Sequence, residues 1–458
     1  MTTEDLAGDR TTPLLDPVYR GATVGAVALV FLAAFEALAV ATVMPTVAAD
    51  LDGRDLFAVA FSATLAASVV GMVAAGSWAD RRGAVRPLLA SVALFAVGLV
   101  AAGLAPTMAW LVLGRFAQGL GLGGLIVALY VLVAQVYAQV DRPRILGLFA
   151  AAWVLPGLVG PFLAGVVADT LGWRWVFLGV VLVAAGALAL LVPTLRNVPP
   201  PEAADPDAAA VAGPGGTGRL ALAVAVAAAV VALNLAGSQT GVLRAVTAVV
   251  AVAAALVAVR PLLPRGTLRA ARGLPSVIGL RGLVAGAFFA SESYLPYLLQ
   301  EQYGAATWVS GLVLTVATLS WATASQVQGR LGERLPDESA LRIGSVLLAV
   351  GVAMILAIAA LALPGLLVGV GWLFASAGMG LMFPRITSAV LKRTAVQERG
   401  TATSAITISD SVGAAVAVAV VGLVFTAIGT AADRGAFVGV LVVAFAVSLV
   451  AVAVSRRT

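Results

Sequence analysis

The sequence predicts an all-α membrane protein with fourteen transmembrane helices, and two observations carry this. The chain is 61% hydrophobic and 11% charged, with a mean hydropathy of +1.05; a water-soluble chain cannot cover that much apolar surface. A bilayer-spanning helix needs about 20 mostly apolar residues, and fourteen such runs follow one another between short polar connectors.

Taken in order, residues 1–20 form an N-terminal tail. It carries Glu4, Asp5, Asp9 and Asp16, unlike the basic start of a cleavable signal. The first apolar run covers 21–45, followed by 57–79, 87–105, 109–138, 145–168 and 174–195, which makes a first group of six within 21–196. Residues 197–218, NVPPPEAADPDAAAVAGPGGTG, are rich in Pro, Gly, Ala and acid and read as a flexible linker. A short-looped helical pair, 219–236 and 241–260, turns at GSQTG; packing outside the core is expected for it. A basic connector over 261–276 leads to a second group of six within 277–458: 277–300, 307–328, 341–362, 365–391, 401–427 and 435–455.

The isoelectric point near 10.3 does not point to nucleic acid, because the basic residues are scattered through short connectors. They follow the positive-inside rule instead. With the N-terminus in the cytoplasm, Arg54, Arg174, Arg244 and Arg434 fall outside and Arg115 falls within a helix, while the other 23 of the 28 Lys and Arg face the cytoplasm or its interface. Both termini are therefore expected in the cytoplasm of a multi-pass plasma-membrane or inner-membrane protein, acting as a monomer. The chain has no Cys and no His, which removes thiol chemistry and the usual metal ligands. No cofactor, no metal and no catalytic constellation is expected, and any proton chemistry must use carboxylates.

The two groups of six repeat. MPTVAAD around Pro45 precedes a run ending at WADRRG, and LPYLLQE around Pro296 precedes one ending at QGRLGE; Pro45 to Gly83 and Pro296 to Gly332 span similar lengths. Gly119-x-Gly121 and Gly378-x-Gly380 keep a comparable offset. Two six-helix bundles in the same orientation imply a pseudo-twofold axis along the membrane normal, with a cavity between them.

Three short motifs carry a resemblance. GSWADRRGAVR (76–86), with Gly76, Asp80, Arg81, Gly83 and Arg86, is similar to the cytoplasmic loop signature of the major facilitator superfamily. RFAQGLGLGG (115–124), with Arg115, Gln118, Gly119 and Gly121, resembles its fourth-helix motif. PGLVGPFLAG (156–165), with Gly160, Pro161 and Gly165, resembles the fifth-helix motif of its antiporting exporters; Pro156 and Ala164 depart from glycine. EALAVATVMPTVAADL (36–51) and GWRWVF (172–177) resemble segments of its fourteen-helix drug:proton antiporters. The resemblance implies the major facilitator fold with two extra helices. It also implies a cytoplasmic gate in which Asp80 meets the start of the 401–427 helix near Thr401, while Arg81 or Arg86 meets Asp141.

The physical reading of these motifs agrees. Gly76 lets two helices approach and Gly83 permits a tight turn. The stripes Pro156, Gly160, Ala164 and Gly157, Pro161, Gly165 recur every four residues and favour close packing. An unpaired arginine such as Arg115 inside an apolar helix is costly, so something polar must receive it, unless it snorkels to the outer surface.

Glu36, Glu292 and Asp410 lie well inside apolar runs. A charge there costs roughly 2.5–3.5 kcal/mol on an insertion scale, so each needs a purpose or a partner. Burial favours the neutral carboxyl and lets such a group exchange protons near physiological pH. Neighbours add polarity: Thr403 and Thr407 share a face with Asp410, Ser291, Ser293, Tyr294 and Tyr297 flank Glu292, and Thr315, Thr318, Trp321 and Gln328 lie on the 307–328 run. Glu36, Arg115, Gln118, Glu292, Tyr294, Tyr297 and Asp410 are thus the candidates for a proton-coupling or substrate cavity. The expected function is proton-coupled efflux of amphipathic, cationic or neutral drug-like compounds by alternating access, driven by the proton gradient. The alternative is a lipid or metabolite exporter of the same fold.

Overall fold

A computed structural model describes residues 16, 19–138, 141–196, 198, 216–394 and 399–458. Among the described residues, fourteen helices are long and apolar enough to cross a membrane. They are α1 (Arg20–Asp50), α2 (Phe57–Arg82), α3 (Val85–Gly103), α4 (Met108–Val136), α5 (Arg142–Thr170), α6 (Arg174–Leu195), α7 (Gly216–Leu235), α8 (Gly241–Val259), α9 (Leu274–Tyr303), α10 (Thr307–Leu331), α11 (Asp337–Ala360), α12 (Leu367–Lys392), α13 (Arg399–Ile428) and α14 (Arg434–Ser455). No strand occurs among the described residues. Most of the expected tail over 1–20 and most of the expected linker over 197–218 lie outside the described residues.

Helices replace apolar runs one for one because lipid offers backbone groups no partner, so each span must satisfy its own hydrogen bonds. Polar turns end them. Gly83, at φ 77°, takes a backbone shape that a side chain resists and reverses the chain between α2 and α3. The Thr107 hydroxyl accepts from the Trp110 amide and caps α4.

The two groups of six pack alike. In the first, α1 lies on α5 and α6, while α2 and α3 lie on α4; in the second, α9 lies on α13 and α14, while α10 and α11 lie on α12. Glycines set the closeness of the α4 and α12 contacts. A Cβ on Gly121 would strike the α3 backbone at Phe95, and one on Gly123 would strike the Ser68 carbonyl of α2. Gly378 and Gly380 stand likewise against Gly344 of α11 and Trp321 of α10. The structural counterparts of Gly378-x-Gly380 are therefore Gly121-x-Gly123, two residues on from the expected Gly119-x-Gly121; Gly119 packs on Thr64 of α2.

The halves meet where α5 lies on α10 and α2 on α13. The extra pair does not stand clear of them. Ala227, Val230 and Leu233 of α7 pack with Ala66 of α2 and with Ala415 and Ala419 of α13, and Asn234 donates to the Ser62 hydroxyl of α2 at 2.8 Å. Only α8 lies outward, with Val242, Val249 and Val257 exposed. The face where α1 starts and α14 ends carries the arginine-rich connectors and is called the basic face below. Two of the arginines expected at that interface are instead inside helices: Arg281 of α9 and Arg385 of α12 are both buried. Each has an acid to meet, Asp410 and Asp337 respectively.

Candidate functional site

Glu36 stands near the middle of α1, and Arg115 of α4 reaches it: Arg115 Nη1 forms an ion pair with Glu36 Oε1. The side chains are 2% and 5% exposed, so the pair is sealed from solvent. Arg115 does not snorkel outward. Its Nη1 also donates to Gln118 Oε1 at 2.9 Å and its Nε to the Ala60 carbonyl of α2 at 3.3 Å. The Thr64 hydroxyl donates to the Arg115 carbonyl at 3.1 Å. Glu36 Oε2, Gln118 Nε2 and the Thr42 hydroxyl are buried with no partner among the described residues. Unmet polar atoms beside a sealed ion pair are costly.

The second half is arranged differently. Glu292 of α9 is 8% exposed and makes no ion pair or hydrogen bond among the described residues. Phe288, one turn earlier on the same face, stacks on Trp372 with centroids 4.5 Å apart. Trp321 of α10 meets Phe288 edge-on at 5.4 Å and Phe383 of α12 at 5.2 Å. Asp410 is not free. Arg281 Nε donates to Asp410 Oδ1 at 2.7 Å, and the Arg281 guanidinium lies over the Phe383 ring, 3.0 Å from its centroid. Arg281 was not singled out from the sequence, although an arginine inside an apolar run opposite an intramembrane acid is a readable signal.

Several of the hydroxyls expected to wet a cavity bond their own helices. Ser291 donates to the Ala287 carbonyl, Ser293 to Ala290, Thr318 to Leu314 and Thr407 to Thr403. Such back-bonding makes a hydroxyl cheap in an apolar helix. Gln328 is likewise occupied, accepting from Arg385 Nε at 2.6 Å. Thr315 accepts from the Phe162 amide across the seam at 3.3 Å.

Tyr294 and Tyr297 belong to a different place from the one expected. They form an aromatic cluster with Phe57 of α2 and Phe425 of α13, near the end of α9 farthest from the basic face. Both are buried, and the Tyr297 hydroxyl is unpartnered among the described residues. They lie at a contact between the halves, where their rings meet Phe57 at the start of α2. The same region holds the polar ties between the two halves: Gln300 Nε2 to the Thr42 carbonyl at 3.1 Å, Thr46 to Thr307 at 3.3 Å, Arg54 to Glu301 at 3.3 Å and the Trp308 amide to Asp169 at 3.2 Å. The Phe162 amide to Thr315 bond at 3.3 Å lies about two turns further along the same seam, toward the basic face. Among the described residues, the polar ties between the halves are thus gathered toward the far face.

The fifth-helix motif lies on the seam. Gly157, Pro161 and Gly165 touch Thr318, Gly311 and Trp308 of α10 in the other half, while Gly160 faces Phe35 of α1; Pro156 and Ala164 are buried beside it. The loop motif differs from expectation in three respects. Gly76 is in ordinary contact with Val127, and the tight α2–α4 approach occurs at Gly71, against the Leu120 carbonyl. Asp141, fully buried, pairs with Arg144 of its own helix at 3.2 Å, because it precedes α5 and the first turn presents Arg144 to it. Arg81 and Arg86 make no ion pair among the described residues. The side chain of Thr401, expected to meet Asp80, lies outside the described residues; Asp80 itself is exposed.

The model of the Major Facilitator Superfamily matches residues 26–418. A Mycobacterium tuberculosis protein described as uncharacterized MFS-type transporter Rv1877 is 37% identical over 193 residues, covering 41% of this chain and 28% of its own length. Multidrug resistance protein 3 of Bacillus subtilis is 31% identical over 35% of this chain and 31% of its own length. The chain thus spans about a third or less of these two relatives. The multidrug efflux pump SdrM of Staphylococcus aureus is 22% identical over 71% of this chain and 73% of its own. Among solved structures, a POT family transporter in complex with 5-aminolevulinic acid aligns with a TM-score of 0.68 at 14% identity, over 95% and 96% of the two chains. The partially occluded inward-open xylose transporter XylE of E. coli aligns at 0.63 and 13%, again over 95% and 96%. At these identities the two structures speak for the fold.

Proposed function

The chain belongs to the Major Facilitator Superfamily, a family of transporters, and from that premise we propose that it exports amphipathic, cationic or neutral compounds in exchange for protons by alternating access. One observation carries this reading: Glu36 and Arg115 form an ion pair sealed within the first half. While Glu36 is ionised, the pair holds α1 to α4. A proton arriving at Glu36 cancels its charge and leaves Arg115 with Gln118 Oε1 and the Ala60 carbonyl. Loss of an attraction in a medium of low dielectric weakens that grip by several kcal/mol at most, enough to bias a two-state rocking of the halves.

Substrate enters from the basic face, which the reading assigns to the cytoplasm because Lys and Arg resist translocation. It meets Glu292 beside the Phe288 and Trp321 rings, where an unpaired carboxylate and aromatic faces suit a flat cation. The far-face ties Gln300–Thr42, Arg54–Glu301 and Thr46–Thr307 must then break for release. Likeness to a multidrug efflux pump over 71% of the chain and the seam position of Gly157, Pro161 and Gly165 support export over uptake.

The test is flux of a cationic dye in proteoliposomes with an imposed pH gradient. The expected result is dye movement that stops when the gradient is collapsed, and that falls at least about tenfold in Glu36→Gln, or about 1.4 kcal/mol. Undiminished gradient-driven transport by Glu36→Gln overturns the role given to that residue.

A further inference from the structure

The connector between α8 and α9 is folded. Gly266 at φ 91°, Ala270 at φ 48° and Gly273 at φ 88° turn it back on itself, while Leu263 and Thr267 are buried beneath it and the Thr267 hydroxyl donates to the Pro264 carbonyl at 2.8 Å. It is also fastened to the end of the chain. The Gly273 amide donates to the Arg457 carbonyl at 3.3 Å, the Ser276 hydroxyl to the same oxygen at 3.1 Å, and Arg457 Nη1 to the Arg269 carbonyl at 3.4 Å.

These bonds gather Arg260, Arg265, Arg269, Arg272, Arg456 and Arg457 on one platform, and all six side chains are exposed. None forms an ion pair among the described residues. No acidic side chain occurs over 208–291 or 434–458 to offset them. Charges needed only to orient the chain in the membrane act by number and do not require a folded mount. Holding six like charges together is unfavourable unless a counter-charge arrives from elsewhere.

The platform lies at the membrane end of α8, α9 and α14, with Leu268 exposed beside Arg269, which is the level of lipid headgroups. We propose that it is a binding site for anionic phospholipid headgroups, whose phosphodiester oxygens take guanidinium donors in pairs. Lipid bound there clamps the connector that joins the extra helical pair to the second half. This holds whichever compartment the basic face meets, and whatever the protein carries.

The experiment uses the purified full chain in neutral detergent, titrated with mixed micelles of phosphatidylglycerol, of phosphatidylcholine, or with inorganic phosphate, while thermal unfolding is followed. Phosphatidylglycerol is expected to raise the midpoint, with phosphatidylcholine and phosphate leaving it unmoved. The single variants Arg265→Gln and Arg457→Gln, each at an exposed position, should need on the order of fivefold more phosphatidylglycerol for the same shift. The combined variant R265Q/R269Q/R456Q/R457Q should lose the shift. Arg330→Gln with Arg334→Gln, on the α10–α11 turn of the same face, should keep it. Equal shifts from both lipids, or unchanged titrations in the single variants, overturn the proposal. An equal shift from phosphate overturns the lipid assignment in favour of a free-anion site.

Discussion

The two halves share a backbone plan and differ in their charges. In the first, Glu36, Arg115 and Gln118 close on one another and are sealed from solvent. In the second, the Arg281–Asp410 pair keeps side-chain exposures of 10% and 22%, and Glu292 has no partner among the described residues. Duplication supplies the frame because glycine contacts and apolar faces are enough to specify helix packing. It leaves polar side chains free to diverge, since each needs only a local partner. The first half thus holds a sealed, paired acid, and the second a buried acid unpaired among the described residues and one turn from stacked aromatic rings.

The largest expected contrast is in stability. Arg115→Ala strands the sealed Glu36 charge and should cost about 3–5 kcal/mol, whereas Arg281→Ala, whose partner Asp410 is less enclosed, should cost less, about 1–3 kcal/mol. Denaturation midpoints of the two variants in detergent measure this; equal losses break the contrast. Next come Gly123→Ala and Gly380→Ala, where the added methyl meets the Ser68 and Trp321 carbonyls. As equivalents in the shared plan they should cost alike, about 1–3 kcal/mol each. A large loss in one alone would show that the halves differ in scaffold as well as charge. The smallest effect expected is in selectivity: Glu292→Gln should lower transport of a cationic dye about tenfold, or about 1.4 kcal/mol, and spare a neutral compound of similar size. Equal losses for the two compounds would place Glu292 in coupling instead.

Most of the fold was legible because length and hydropathy alone determine a span. The helix 174–195 was read to the residue, and α1 extends five residues past its expected end, since Val47 and Ala48 continue the buried face up to Asp50. Packing was less legible. That α7 touches both α2 and α13 has no periodic signature, as every face of an Ala- and Val-rich helix looks alike. At the site, Glu36 and Arg115 were each readable as costly intramembrane charges, yet their meeting depends on which faces of α1 and α4 oppose one another. Tyr294 and Tyr297 misled because aromatic hydroxyls near an acid read as cavity lining, and depth along α9 decided otherwise. Asp141 went to Arg144 because a partner three residues away needs no movement of another helix.

The placement of α7 leaves the transporter lopsided toward its surrounding oil. Two bundles set side by side have two flanks on which their seam meets the lipid. On one flank, Ala227, Val230 and Leu233 lie across α2 and α13 like a shutter; on the other, α5 meets α10 with no such cover among the described residues. The seam between the bundles is therefore roofed on one flank and bare on the other, where Gly157, Pro161 and Gly165 press directly on α10.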